Sequence, residues 1–261
     1  MKLRTQFPAV VFLLMLSGLA SAARAQSFLI SQNGKSVGSA SLTLTRSAQG
    51  YAASSTGSIV MNGLNLSFTE TASFSPNNHI RSVQLNGQVN GTPVTISTRP
   101  TGQQFLMNIF ANGQRYNTPL AYHTQAVFFP DFDPAALTMM VRLGAAHNNA
   151  NLWAIIPKQT GSIVPIQIAT DPDMQGKLNN QTIAVHHFTI NMNDSTIEVF
   201  STPTNDIMQA EWTNEAFALV HEGFVLTPPA HPTVAPPKPP PTSQQNPQPG
   251  QQTNPQQNQP Q

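Results

Sequence analysis

Apolar and polar residues alternate along most of this chain. In Ser39–Arg46, Ala40, Leu42 and Leu44 share one side, and Ser41, Thr43 and Thr45 share the other. A repeat of two over that length predicts a strand buried on one face. Similar runs follow at Tyr51–Val60 and at Asn65–Phe74, where Leu66, Phe68, Ala72 and Phe74 point inward. Further runs occupy His79–Leu85, Pro93–Arg99 and Gln103–Phe110, and Ser27–Gln32 opens the series. Five Asn-Gly pairs punctuate it, at 33–34, 62–63, 86–87, 90–91 and 112–113. Asn-Gly takes positive φ at both central positions of a two-residue hairpin turn at little cost. Ser75-Pro76-Asn77-Asn78 reads as a further turn. The expected arrangement is a β-meander.

The pattern breaks at Phe128-Phe129-Pro130-Asp131-Phe132-Asp133-Pro134. Asp133 has the character of an N-cap, with Pro134 at the first helical position. Leu137, Met140 and Val141 then fall at helical spacing up to Gly144, which predicts one helix. Strands resume at Leu152–Ile156, Val164–Ala169, Thr182–Met192, Thr196–Ser201, Ile207–Thr213 and Phe217–His221. Short connections predict antiparallel neighbours. The expected fold is mainly β: a large curved antiparallel sheet or open half-barrel of about a dozen strands, capped by one helix. A closed β-barrel or β-sandwich is the alternative.

The two ends are different. Residues 1–25 read as a signal peptide: Lys2 and Arg4, an apolar run from Val10 to Leu19, and Ala23-Arg24-Ala25 as the cleavage site after Ala25. The apolar run is too short to span a bilayer, so the mature chain is expected to be secreted or periplasmic and not membrane-spanning. From Pro228 onward the chain holds 12 of its 23 prolines and a single charge, Lys238. Residues 228–261 therefore read as a disordered Pro/Gln-rich tail, acting as a spacer or as a docking segment for an aromatic groove. Residues 26–227 remain for one β domain. With no cysteine, the domain is held by its core and not by disulfides. Loss of Lys2, Arg4 and Arg24 turns the formal charge of +1 into −2. No basic run interleaved with aromatics follows, which argues against nucleic acid as a partner. Inward apolar faces and few aromatics argue against an outer-membrane barrel.

Candidate chemistry is sparse. Gly34-Lys35-Ser36-Val37-Gly38 matches the nucleophile elbow of α/β-hydrolases. That elbow needs a helix after its serine, and an alternating strand follows here. Asp171-Pro172-Asp173-Met174-Gln175-Gly176 has the outline of a calcium loop but lacks its later oxygen ligands, and it reads as a hairpin turn. His186 and His187 are adjacent on a strand and so face opposite ways. His186 is expected in the core or at its rim. Glu198 and Glu211 are expected to face solvent. Glu70 falls on an apolar face. If inward, it needs a partner such as Arg81 or Arg99 or a place near a cavity mouth; a register shift or bulge that turns it outward is the favoured reading. No catalytic residue, metal ligand or cofactor site emerges. Phe128, Phe129, Phe132, Met139 and Met140 form the densest large-apolar cluster, either core or the lining of a pocket for an acyl chain.

The opening Gln32-Asn33-Gly34-Lys35-Ser36-Val37-Gly38-Ser39-Ala40-Ser41-Leu42 resembles a hairpin of exported bacterial β-proteins of unknown function. Thr196–Phe200, Ile207–Trp212 and Phe217–Phe224 resemble their closing meander. Those proteins are similar in organisation to the half-barrel of lipoprotein carriers, although the carriers' cluster of helices is missing here. The resemblance implies a non-catalytic envelope protein that binds an apolar small molecule or lipid on its concave face. A surface module displayed by the tail, and a hydrolase assembled from distant residues, are the alternatives.

Overall fold

The computed structural model describes residues 23–227. The stretches 1–22 and 228–261, which hold most of the expected signal peptide and the whole of the expected tail, lie outside them. Sixteen strands and one helix follow in order. The first eight strands are β1 (Ala23–Gln32), β2 (Lys35–Ser47), β3 (Gly50–Met61), β4 (Leu64–Phe74), β5 (Ile80–Val89), β6 (Thr92–Thr101), β7 (Gln104–Ala111) and β8 (Gln114–Ala121). After β9 (Ala126–Phe128) comes α1 (Pro134–Ala146). The chain then forms β10 (Leu152–Ile156), β11 (Ser162–Leu178), β12 (Gln181–Met192), β13 (Ser195–Ser201), β14 (Ile207–Trp212), β15 (Phe217–His221) and β16 (Phe224–Thr227).

All sixteen strands belong to one sheet, open at both ends. Strands β1 to β8 meander outward from the middle to one edge. The chain then steps to the far edge at β9, passes through α1 to β10 and meanders back to β15, which pairs with β1. The first and last long stretches of the domain thus zip together at its centre. Every pairing is antiparallel except β9 with β10. A helix lies between those two strands in sequence, and parallel neighbours need such a crossover.

The sheet curls around the helix. Helix α1 packs on β2, β3 and β14 and also on β9 and β10, strands that lie far apart in the sheet order. Strand β8 approaches the opposite edge, where Thr118 Oγ1 donates to the Thr160 carbonyl at 2.5 Å. The inner face of β3 makes room for the helix with small residues: Ala53, Ser55 and Gly57. A Cβ at Gly57 would fall 2.3 Å from the Phe68 ring, so that glycine also seats the phenyl group. Helix α1 is buried on nearly every side, with Leu137, Met140 and Leu143 fully enclosed. Asp133 caps it: its two carboxylate oxygens accept from Ala135 N and Ala136 N, each at 3.1 Å. Pro134 leads the first turn as expected. The far end unwinds through Asn148, Asn149 and Asn151, with φ of 51°, 58° and 56°, a region that asparagine tolerates well.

The pairs at 33–34, 90–91 and 112–113 take positive φ at both residues, as two-residue hairpin turns require. Asn86-Gly87 makes no turn. It lies inside β5, which runs on to Val89. A Cβ at Gly87 would lie 2.4 Å from the Ser67 carbonyl oxygen, so this glycine serves a close approach of two strands. The expected turn at Asp171–Gly176 is also absent. Strand β11 continues through it with a bulge between Asp171 and Met174, and the reversal comes at Asn179-Asn180. Beyond the bulge, β11 pairs with β16 on its free side. Strand β8 and the short β9 and β16 raise the number above a dozen.

The distal half of β11 and β12, with β16, folds over the outer face of the sheet. Val185, Phe200, Met208 and Phe224 form a second small core there. It is separate from the main core, which holds α1 and the inner faces of the other strands. No helix among the described residues is long and apolar enough to cross a membrane.

Candidate functional site

The inner face of β4 to β8 reaches past the end of the helix and is left partly uncovered. Leu66 and Phe68 on β4, Leu85 on β5, Val94 and Ile96 on β6, Ile109 on β7 and Tyr116 on β8 line a groove of about 500 Å³ there. The lining follows from the strand period. At this end of five consecutive strands most inward-pointing residues are apolar. Gly87 sits among them and, having no side chain, deepens the floor. Two loops, 130–131 and 157–160, close the other side. At their meeting point Lys158 Nζ lies 2.9 Å from Asp131 Oδ1, and both side chains are half in solvent. The groove is thus an apolar trough with one ion pair at its rim.

Across the loop 129–132 lies a smaller cleft of about 310 Å³, bordered by Phe129, Phe132, Ile156, Met192, Trp212 and Phe217. Lys158 and Asp131 border both spaces. Phe132 holds φ of 60° and packs on Trp212 and Phe217, with ring centroids 5.1 and 4.7 Å away.

Of the five aromatic and methionine residues marked in the sequence, Phe128, Met139 and Met140 are enclosed in the main core. Phe129 and Phe132 border the smaller cleft. None of the five lines the larger groove. Its walls come instead from the regular strands of the first half, where alternation gave no hint that one stretch would be left uncovered.

Glu70 does not turn outward. It is 3% exposed, on the inner face one pleat beyond Phe68. Arg81 and Arg99 are both exposed and do not partner it. Its neighbour is Asp133, the helix cap, itself fully buried. Burial and then the adjacent Asp133 charge push the Glu70 carboxyl well above the usual carboxylate range. Asp133 is also raised by burial, but the Ser55 hydroxyl and the Ala135 and Ala136 amides favour its charged form. Of the two, Glu70 has the charged form more strongly opposed, because Asp133 has the helix amides to favour its charge. The pair ties β4 to the start of the helix. Its enclosure leaves no room for a substrate, so it works as a latch.

His186 and His187 do diverge. His186 Nδ1 lies 2.9 Å from Asp173 Oδ1 at the surface. His187 faces the other way, against Phe200 and the Glu198 carboxylate. Glu198 is half-buried and bonded to His187 and Thr189, which corrects its expected solvent-facing position. Glu211 is also half-buried and accepts from Gln209.

Sequence reasoning also missed a basic pocket at the opposite end of the strands from the groove. Arg24, Arg46 and Arg142 meet around Tyr51 in a space of about 490 Å³. Arg142 lies 5.2 Å from the Tyr51 ring centroid. Its pKa is lowered by burial and by the other two arginines. Arg24, which would leave with the expected signal peptide, is further bound to Asp206 at 2.6 Å. These residues are scattered over more than a hundred positions, so no run could reveal them. The chain matches no family model, no curated protein and no solved structure.

Proposed function

We propose that this is an exported, non-catalytic binding protein that takes an apolar chain, such as an acyl group, into the groove of its first eight strands. One observation carries the reading: a trough of about 500 Å³ walled by aliphatic and aromatic side chains. That size lies within the range of roughly 300–1,000 Å³ used for small-molecule sites. The groove lining includes no histidine, and its only ion pair is Lys158 with Asp131. Lys158 at the rim suits a carboxylate or phosphate head, with the tail lying along Leu66, Leu85 and Ile109. Binding, more than bond-breaking, fits such a surface.

A titration with a fluorescent C16 fatty acid tests the reading. The mature protein is expected to bind it saturably. Ala111, at the groove's edge, lines it without being buried. Ala111→Trp is expected to weaken binding about tenfold or more by filling the trough, at little cost to the fold. Failure of the unaltered protein to bind, or equal binding by Ala111→Trp, would remove the proposal.

A further inference from the structure

We propose that Asp171, His187 and Glu198 form a site for a zinc-class divalent ion on the outer face of the sheet. Three adjacent strands supply one ligand each. Asp171 on β11 stands directly opposite His187 on β12. Glu198 on β13 stands opposite Thr189, one pleat along from His187. All three side chains therefore leave the same face. His187 Nε2 is 2.5 Å from Glu198 Oε2 and 4.0 Å from Asp171 Oδ2. The three donor atoms all lie within 4.8 Å of one another.

An ion held at about 2.0–2.2 Å by nitrogen and oxygen in a tetrahedron separates its ligands by roughly 3.3–3.6 Å. Opening the His187–Glu198 contact by about 1 Å and drawing Asp171 in by less reaches that spacing. The imidazole plane is already held, because the ring stacks on Phe200 at 4.5 Å with an interplanar angle of 13°. Thr189 Oγ1 donates to Asp171 at 2.6 Å and approaches both oxygens of Glu198 at 3.3 Å. Such outer contacts orient ligating carboxylates.

Charge supports the same conclusion. Among the described residues no lysine or arginine pairs with Asp171 or Glu198; the basic group facing both is His187. Two carboxylates around one imidazole leave room for a divalent charge. Calcium and magnesium prefer sets made wholly of oxygen, whereas one imidazole with two carboxylates suits zinc and its neighbours. The side chains of His187, Asp171 and Glu198 are 19%, 32% and 25% exposed, so water can reach a fourth position. The site also lies at the bulge after Asp171, where β11 bends towards the second core. A bound ion would pin that bend.

Calorimetric titration of the chelator-treated full-length protein with Zn²⁺, and its visible spectrum with Co²⁺, test the proposal. One ion per chain is expected, with Co²⁺ giving the intense bands of low coordination. His187→Gln and Glu198→Gln are expected to weaken binding by about tenfold or more. His186→Gln, which alters the neighbouring histidine on the other face, is expected to leave it unchanged. Excess Ca²⁺ is expected not to compete. Absence of saturable binding, survival of binding in Glu198→Gln, or its loss in His186→Gln would overturn the assignment. Glu198→Gln preserves the side-chain shape, so the test stands even if His187→Gln fails to fold.

Discussion

The two arms of this sheet are built on different rules. From β1 to β8 the chain alternates, turns tightly and buries one face. Its pairings slip only at Ile30/Ser31 and Ser73/Phe74. From β9 to β16 it crosses through a helix, makes the only parallel pair among the described residues and buries parts of both faces. Strand β14 has five of its six residues buried, and β13 ends in three consecutive buried residues. Period-two alternation appears only where water touches one face. Where a strand is covered on both sides, its residues read as a plain apolar run and no longer announce which side is inside. The regular arm carries the open groove; the irregular arm carries the helix, the second core and the Asp171–His187–Glu198 cluster.

The contrast can be broken most strongly at Phe200. It lies on the outer face yet is buried in the second core. Phe200→Ala is expected to cost about 3–5 kcal/mol, read by urea denaturation. Phe110, on β7 of the regular arm and 42% exposed, should cost less than about 0.5 kcal/mol when changed to alanine. Equal costs would mean that the second core is not a core.

Gly87 sharpens the comparison within the regular arm. Gly87→Ala forces a methyl against the Ser67 carbonyl and is expected to cost about 1–3 kcal/mol by the same measurement. Gly113→Ala, at a turn with φ of 72° and open space around it, tests strain without crowding and is expected to cost less. The reverse order would show that residue 87 is a turn glycine after all.

The latch between the arms responds to pH. Glu70 and Asp133 are both raised, so the folded protein keeps protons that the unfolded chain releases above about pH 4. Their contribution is present below that point and is lost as pH rises towards the folded values. The slope is at most about 1.4 kcal/mol per pH unit for one proton. Glu70→Gln keeps the side-chain shape without a titrating carboxyl and should flatten that part of the stability profile. A profile unchanged by Glu70→Gln would disconnect the latch from proton uptake.

Local chemistry made some features readable. Asp133 and Pro134 start the helix because a capping carboxylate and a fixed φ act within one turn of their own positions. The turns at 33–34, 90–91 and 112–113 are readable for the same reason: positive φ is decided inside the pair. Asn86-Gly87 has that composition, but pairing across β4 and β6 overrides it. Glu70 shows the limit most clearly. Its neighbour Asp133 is 63 positions away, and no pattern within β4 points to it.

Most of the strands, several turns, the helix and the mainly antiparallel character follow from the order of residues, because periodicity, capping and turn preference act over a few positions. The uncovered groove, the buried acid pair, the meeting of three arginines and the ligand cluster at the bulge of β11 came from tertiary structure alone. Each depends on which distant strands lie opposite one another and where the helix stops covering the sheet, and that is settled by packing the whole domain at once.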